Sequence, residues 1–190
     1  MMKRRNAFSM IELVFVIVIL GVLAAVAVPR FVATRTDAQV ATARSDLASV
    51  QKAIVAKVFA DNIDPTASKV PAPNDPTKSK MIGWSEWIIE VGGLDRSRWM
   101  EQNWNNNPAF PGIAPMGNVK NNVGGTTFQK GNCGTMLYID YSRGTLEFHP
   151  ENMTMQHSGT FCELLKASYA NSSGPGNKSI PLASTGTIEF

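Results

Sequence analysis

Residues able to do chemistry are few and widely spaced in this 190-residue chain. His149 and His157 stand eight positions apart, with no H-E-x-x-H helix and no third ligand nearby. That spacing does not build a zinc site. Asp140, Glu147 and Glu151 carry the oxygen ligands that Ca²⁺ takes, but nothing around them repeats an EF-hand loop. They read as a solvated carboxylate face. Neither G-x-S-x-G nor a phosphate-cradling P-loop occurs. All four tryptophans, Trp84, Trp87, Trp99 and Trp104, fall between Gly83 and Asn105. Such a cluster can stack on a sugar or a peptide, but more often it fills a small core, and the core reading is preferred. The expectation is a chain without catalysis, cofactor or metal. One residue still asks for a chemical explanation, the carboxylate of Glu12.

Glu12 is the single ionisable residue in the stretch Phe8–Pro29, FSMIELVFVIVILGVLAAVAVP. With Phe8–Ile11, the apolar run Leu13–Val28 approaches the roughly 20 residues a helix needs to cross a bilayer. Lys3, Arg4 and Arg5 precede it and place the N-terminus in the cytoplasm by the positive-inside rule. Ala25-Val26-Ala27 also fits a signal-peptidase site, which would discard everything before Val28. Against that reading, a carboxylate at the bilayer centre costs about 2.5–3.5 kcal/mol, and a disposable signal has no use for one. The helical pattern also continues past the proposed cut. A plain anchor explains the continuation but not Glu12.

Asn6-Ala7-Phe8-Ser9-Met10-Ile11-Glu12 followed by a long apolar helix resembles the N-terminus of type IV prepilins and type II secretion pseudopilins. The resemblance implies a prepilin peptidase that cuts on the cytoplasmic side between Ala7 and Phe8 and methylates the new terminus. Glu12 becomes the fifth residue of the mature chain, as the family pattern asks. Gly21 and Pro29 fall where many members have a glycine and a helix-kinking proline. Ala7 departs from the usual glycine. A buried carboxylate wants a partner, and cleavage creates one in the Phe8 amine. The two are i and i+4 within a helix. In a filament, Glu12 of one subunit meets the Phe8 amine of a neighbour and fixes their axial register.

The positions of Phe8 and Glu12 depend on a helix that starts beside them. Pro29 bends it near Val26–Pro29. Beyond, Val40, Ala43, Leu47, Val50, Ile54 and Val58 recur at spacings of three and four, with Arg35, Asp37, Gln39, Thr42, Ser45, Asp46, Ser49 and Lys52 between them. That is an amphipathic helix with one apolar stripe. From Phe8 to about Ala60 it extends roughly 80 Å. The stripe is too short and too alanine-rich at its start to prefer a coiled coil.

Asp61–Lys80 carries four prolines and reads as a linker or loop. Trp84, Trp87, Ile88 and Val91 match a short helix, and Leu94–Gln102 is expected to form another. Asn105–Gly125 is rich in Asn, Gly and Pro and reads as irregular. Thr135–Tyr141 alternates, Ser142-Arg143-Gly144 turns, and Thr145–His149 pairs back as a hairpin. Thr160-x-x-Glu163 is a capping box for a helix Phe161–Tyr169, and Gly186–Phe190 reads as a terminal strand.

The composition fits one domain plus an extra element. Hydrophobic residues at 44% and charged residues at 17% exclude a disordered tail and a multi-pass membrane protein. The net charge of +3 belongs to the leader: without Lys3, Arg4 and Arg5 the basic and acidic counts are equal at 15. The body therefore carries no basic footprint for nucleic acid. Cys133 and Cys162 are the only cysteines. In an extracytoplasmic head they pair, and the resemblance favours a disulfide there. In a cytoplasmic head they would be free thiols.

The expected fold is α+β: a long N-terminal helix, transmembrane in its first half and amphipathic in its second, packed on a small antiparallel-sheet globular head. The expected segments are a cleaved leader (1–7), the membrane and filament-core half of the helix (8–29), its amphipathic half (30–60) and an extracytoplasmic head (61–190). By the resemblance, the chain is a structural subunit of a type IV pilus or pilin-like filament. Its partners would be identical or related subunits, the peptidase, an inner-membrane assembly platform and membrane lipid. It would cross the inner membrane once, head in the periplasm, before joining a periplasmic or extracellular filament. A pseudopilin of a type II secretion or DNA-uptake apparatus is the nearest alternative. A monomeric membrane-anchored binding module using the tryptophan region and a secreted enzyme released after Ala27 belong to other classes.

Overall fold

The structure, a computed structural model, describes residues 9–120, 128–153, 161–170 and 176–182; for 26–34, 118–120 and 128–130 it gives the backbone alone. The chain forms two compact units, Met1–Gln39 and Val40–Phe190. Helix α1, Met10–Ala60, contributes to both. Its assignment passes through Pro29 without a break.

From Leu13 to Leu23, in the first unit, α1 is apolar all round. Large side chains from Met10 to Leu23 are exposed, with Met10 at 88% and Ile11 at 75%. A helix that is hydrophobic on every side needs a surrounding of protein or lipid. Among the described residues no helix is long and apolar enough to cross a membrane. The expected span over 8–29 includes Phe8 and the side chains of 26–29, which lie outside those described.

The second unit is built on the far half of α1. The stripe expected from the sequence is the one that packs: Ala43, Leu47, Val50, Ile54 and Val58 are buried and Val40 partly so. The helix stops in a Schellman arrangement. The Ile63 N–H donates to the Val58 carbonyl at 2.9 Å, with Asn62 left-handed at φ 51°.

The short strand β1 (Val70–Pro71), inside the expected loop, pairs with β2 (Met81–Ile82), just beyond its end. Helix α2 follows (Trp84–Gly92), close to where the Trp/Ile/Val spacing placed it. A Cβ on Gly92 would lie 2.3 Å from Val50 Cγ2, so α2 approaches α1 as closely as a glycine permits. Strands β3 (Trp99–Glu101), β4 (Gly112–Lys120), β5 (Phe128–Asn132), β6 (Leu137–Asp140), β7 (Thr145–Phe148) and β8 (Lys178–Pro181) form one sheet. Its order is β3-β4-β6-β7-β8, with β5 also on β4, and every pairing is antiparallel. Helix α3 spans Phe161–Ala167. The α+β reading with an antiparallel head therefore holds.

Two secondary-structure expectations inside the head were wrong. Leu94–Gln102 is not a helix. The Asp95 carboxylate accepts the Ser97 N–H at 2.7 Å and caps a turn, and Trp99 then enters β3 opposite Pro115. Asn105–Gly125 is not irregular throughout, because β4, the longest strand, occupies 112–120. Its glycines and proline suggest a loop, but they serve close packing. A Cβ on Gly112 would stand 2.4 Å from the Leu137 carbonyl oxygen. The hairpin is as expected, with Leu137 opposite Phe148 and Asp140 opposite Thr145. The capping residue Thr160 and the strand expected at Gly186–Phe190 lie outside the described residues.

Candidate assembly helix and head surface

Ser9 is the N-cap of α1 and Glu12 sits three residues on, the spacing of a capping box. The Glu12 carboxylate reaches back and accepts the Ser9 backbone N–H at 2.9 Å. Backbone donors at a helix start have no intrahelical acceptor and favour negative charge. Glu12 therefore has a local role at the mouth of the apolar helix, exposed together with its neighbours. The S-x-x-E signal was present in the sequence, but the reading of Glu12 as a partner for Phe8 passed over it. Ala7 and Phe8 lie outside the described residues, as does the side chain of Pro29.

In the head, Cys133 and Cys162 form a disulfide with Cα atoms 5.3 Å apart. Both are buried, so the bond ties the segment after β5 to α3 inside the core.

Three tryptophans belong to that core. Trp84, Trp87 and Trp99 are at most 1% exposed, which settles them as packing residues. The indole of Trp84 donates to the Ala67 carbonyl at 2.8 Å, and that of Trp99 to Asp46 Oδ2 at 3.0 Å. Arg98 meets the same Asp46 oxygen at 3.3 Å. Trp104 differs. It is half-buried and stacks on Tyr138 with centroids 5.3 Å apart, and Phe110 meets both rings edge-on. Trp104 and Phe110 form an aromatic lid over Tyr138 of β6. Burial, with the charges of Glu147 and Asp140 nearby, pushes the Tyr138 phenol up to about 12.

The solvated carboxylate face expected from the sequence is not found. Asp140 and Glu147 are 7% and 8% exposed. Asp140 accepts the Ser142 N–H at 3.0 Å and its hydroxyl. Glu147 accepts hydroxyls from Thr145 at 2.7 Å and Ser179 at 2.6 Å. Glu151 is the exposed member and accepts the Asn177 amide. Among the described residues no group of three His, Cys, Asp or Glu side chains could hold a metal ion. His157 lies outside them.

The comparisons with known proteins bear on the N-terminus. Residues 2–28 match the family model for the prokaryotic N-terminal methylation motif, the hallmark of type IV pilins and pseudopilins. The match ends at Val28 and leaves the head unassigned. No curated protein and no solved structure matches the chain.

Proposed function

We propose that this pilin-like chain is a structural subunit of a type IV pilus or related filament, held in the inner membrane by 8–29 and then packed helix to helix. The observation that carries this reading is an apolar helix exposed on every side from Met10 to Leu23, with one carboxylate at its start, within a methylation motif at residues 2–28. Outside a membrane or a bundle of like helices, that surface has no favourable surrounding. In this account a prepilin peptidase removes 1–7 and frees the Phe8 amine. Lipid holds the helix until the assembly platform extracts the subunit, Pro29 bends the helix, and the 61–190 segment forms the periplasmic head. The subunit's role is structural rather than catalytic.

The same motif belongs to pseudopilins of secretion and DNA-uptake machines, which are the second reading. The anchored binding module loses its main support, since Trp84, Trp87 and Trp99 are core. Release after Ala27 would cut α1, which runs unbroken from Met10 to Ala60. Mass spectrometry of the N-terminal peptide from cells tests the proposal. A start at methylated Phe8 supports it. A start at Val28 or an intact Met1 overturns it.

A further inference from the structure

One cluster in the head takes no part in the assembly reading. The His149 ring lies between two carboxylates. Its Nε2 is 3.1 Å from Glu147 Oε2 and its Nδ1 is 3.3 Å from Glu151 Oε1. A neutral imidazole has one N–H and one lone pair. With both nitrogens facing carboxylate oxygens, a neutral ring leaves one lone pair against an acceptor. Only the imidazolium donates both ways.

The same carboxylates reach the last strand of the sheet path. Glu147 lies opposite Ser179 in the β7–β8 register and accepts its hydroxyl. Glu151 accepts the amide of Asn177, one residue before β8. We propose that Glu147, His149 and Glu151 form a proton-operated clasp that fastens β8 to β7, closed when His149 is an imidazolium and loosened when it is neutral.

Other polar and charged groups face the cluster from each neighbouring element. Tyr138 from β6 lies 5.7 Å from the His149 ring and, raised to about 12, stays neutral. Asp140 of β6 and Arg143 of the following turn form an ion pair at 3.7 Å. Lys166 from α3 donates to the backbone carbonyls of Glu151 at 2.8 Å and Met153 at 3.0 Å. From the β8 side come the neutral Asn177 and Ser179, with exposed Lys178 between them. Histidine is the side chain that ordinarily changes charge between about pH 5 and 8.

The sign follows from the partners. Glu147 feels burial first, which would raise it, but hydrogen bonds from Ser179, Thr145 and His149 outweigh that and hold it below 4.5. Glu151 is held below 4.5 by His149 first and then Asn177. Their contribution is present above the ordinary carboxylate value and is lost as pH falls through the lowered one. A protonated ring donates to both carboxylates, and loss of that proton leaves one lone pair facing an acceptor oxygen. The clasp is therefore tightest in mildly acidic solution and opens on the alkaline side.

Hydrogen exchange on the full chain in detergent micelles, corrected for the intrinsic rate, reads this directly. Protection of the 176–182 peptide should fall about tenfold between about pH 5.5 and pH 8.5, the scale of one charge-assisted hydrogen bond. Protection at Leu137–Asp140 should not move. In His149→Gln the pH dependence of β8 should vanish. Equal protection of β8 at both pH values, or a pH dependence that survives His149→Gln, would overturn the clasp. Should that variant fail to fold, Asn177→Ala/Ser179→Ala alters only strand-side donors. Its β8 protection should be low and independent of pH, and a full wild-type response there would equally overturn the proposal.

Discussion

The Glu12 carboxylate accepts a hydrogen bond from the Ser9 backbone N–H at 2.9 Å, the return bond of a capping box at the first turn of α1. In the uncut chain this contact gives a carboxylate within an apolar stretch a polar partner in its own helix. Cleavage before Phe8 would place a cationic amine one residue from Ser9. A cation outcompetes a neutral N–H for a carboxylate in an apolar surrounding. In the proposed pathway the two roles of Glu12 would be sequential: cap before processing, ion-pair partner afterwards.

The proposed processing would require a small residue before the cut. Ala7→Leu should leave the leader attached, because the peptidase must admit the side chain at that position. Intact-mass measurement of protein from membranes checks this. A variant that still runs at the mature mass would displace the cleavage site from Ala7-Phe8.

The Cys133–Cys162 bond closes a loop of sequence separation 29 within a buried core. Protein taken from cells should take up no alkylating reagent without reduction and two equivalents after denaturing reduction. In the chain-entropy account, losing the bond costs about 3–4 kcal/mol. Cys133→Ala/Cys162→Ala should therefore unfold at distinctly lower urea. Two labelled cysteines in unreduced protein would contradict both the bond and a head outside the cytoplasm.

Gly92 marks the tightest contact between α2 and α1, where an added Cβ would come within 2.3 Å of Val50 Cγ2. Gly92→Ala should destabilise the head by about 1–3 kcal/mol, the usual cost of overpacking. Gly83, the N-cap of the same helix, has open space around it. Gly83→Ser should leave stability unchanged or improved, since serine is a good N-cap. Urea titrations of the two variants beside wild type separate the effects. Equal stability of Gly92→Ala and wild type would refute the close packing.

The helix and hairpin were legible because their periods are local. Leu47, Val50, Ile54 and Val58 sit on one face whatever they pack against, and Leu137 and Ile139 alternate with Tyr138 and Asp140 in any strand. β4 was hidden because Gly112, Pro115 and Gly117 are turn residues by composition. Their use here depends on neighbours far along the chain, such as Leu137 and Cys133. The same applies to Glu147. Nothing near Glu147 in sequence foretells the Ser179 hydroxyl that satisfies it from 32 residues away. At the N-terminus, motif and chemistry lie within seven residues, so the site could be read without the fold. The Ser9–Glu12 cap was equally local and was missed because one role for Glu12 had already accounted for it.

The account stands or falls on assembly. Glu12→Ala removes a carboxylate from an apolar helix, so insertion should be no worse. Losing one member of a buried ion pair costs about 3–5 kcal/mol at each contact, because the other charge is left unpaired. A filament repeats that loss at every subunit. The decisive measurement compares the sheared filament fraction with the membrane fraction for wild type, Glu12→Ala and the size-matched Glu12→Gln. The predicted result is normal subunit in the membrane for all three, with filament lost in Glu12→Ala and strongly reduced in Glu12→Gln. Wild-type filament yield from Glu12→Ala would contradict the account.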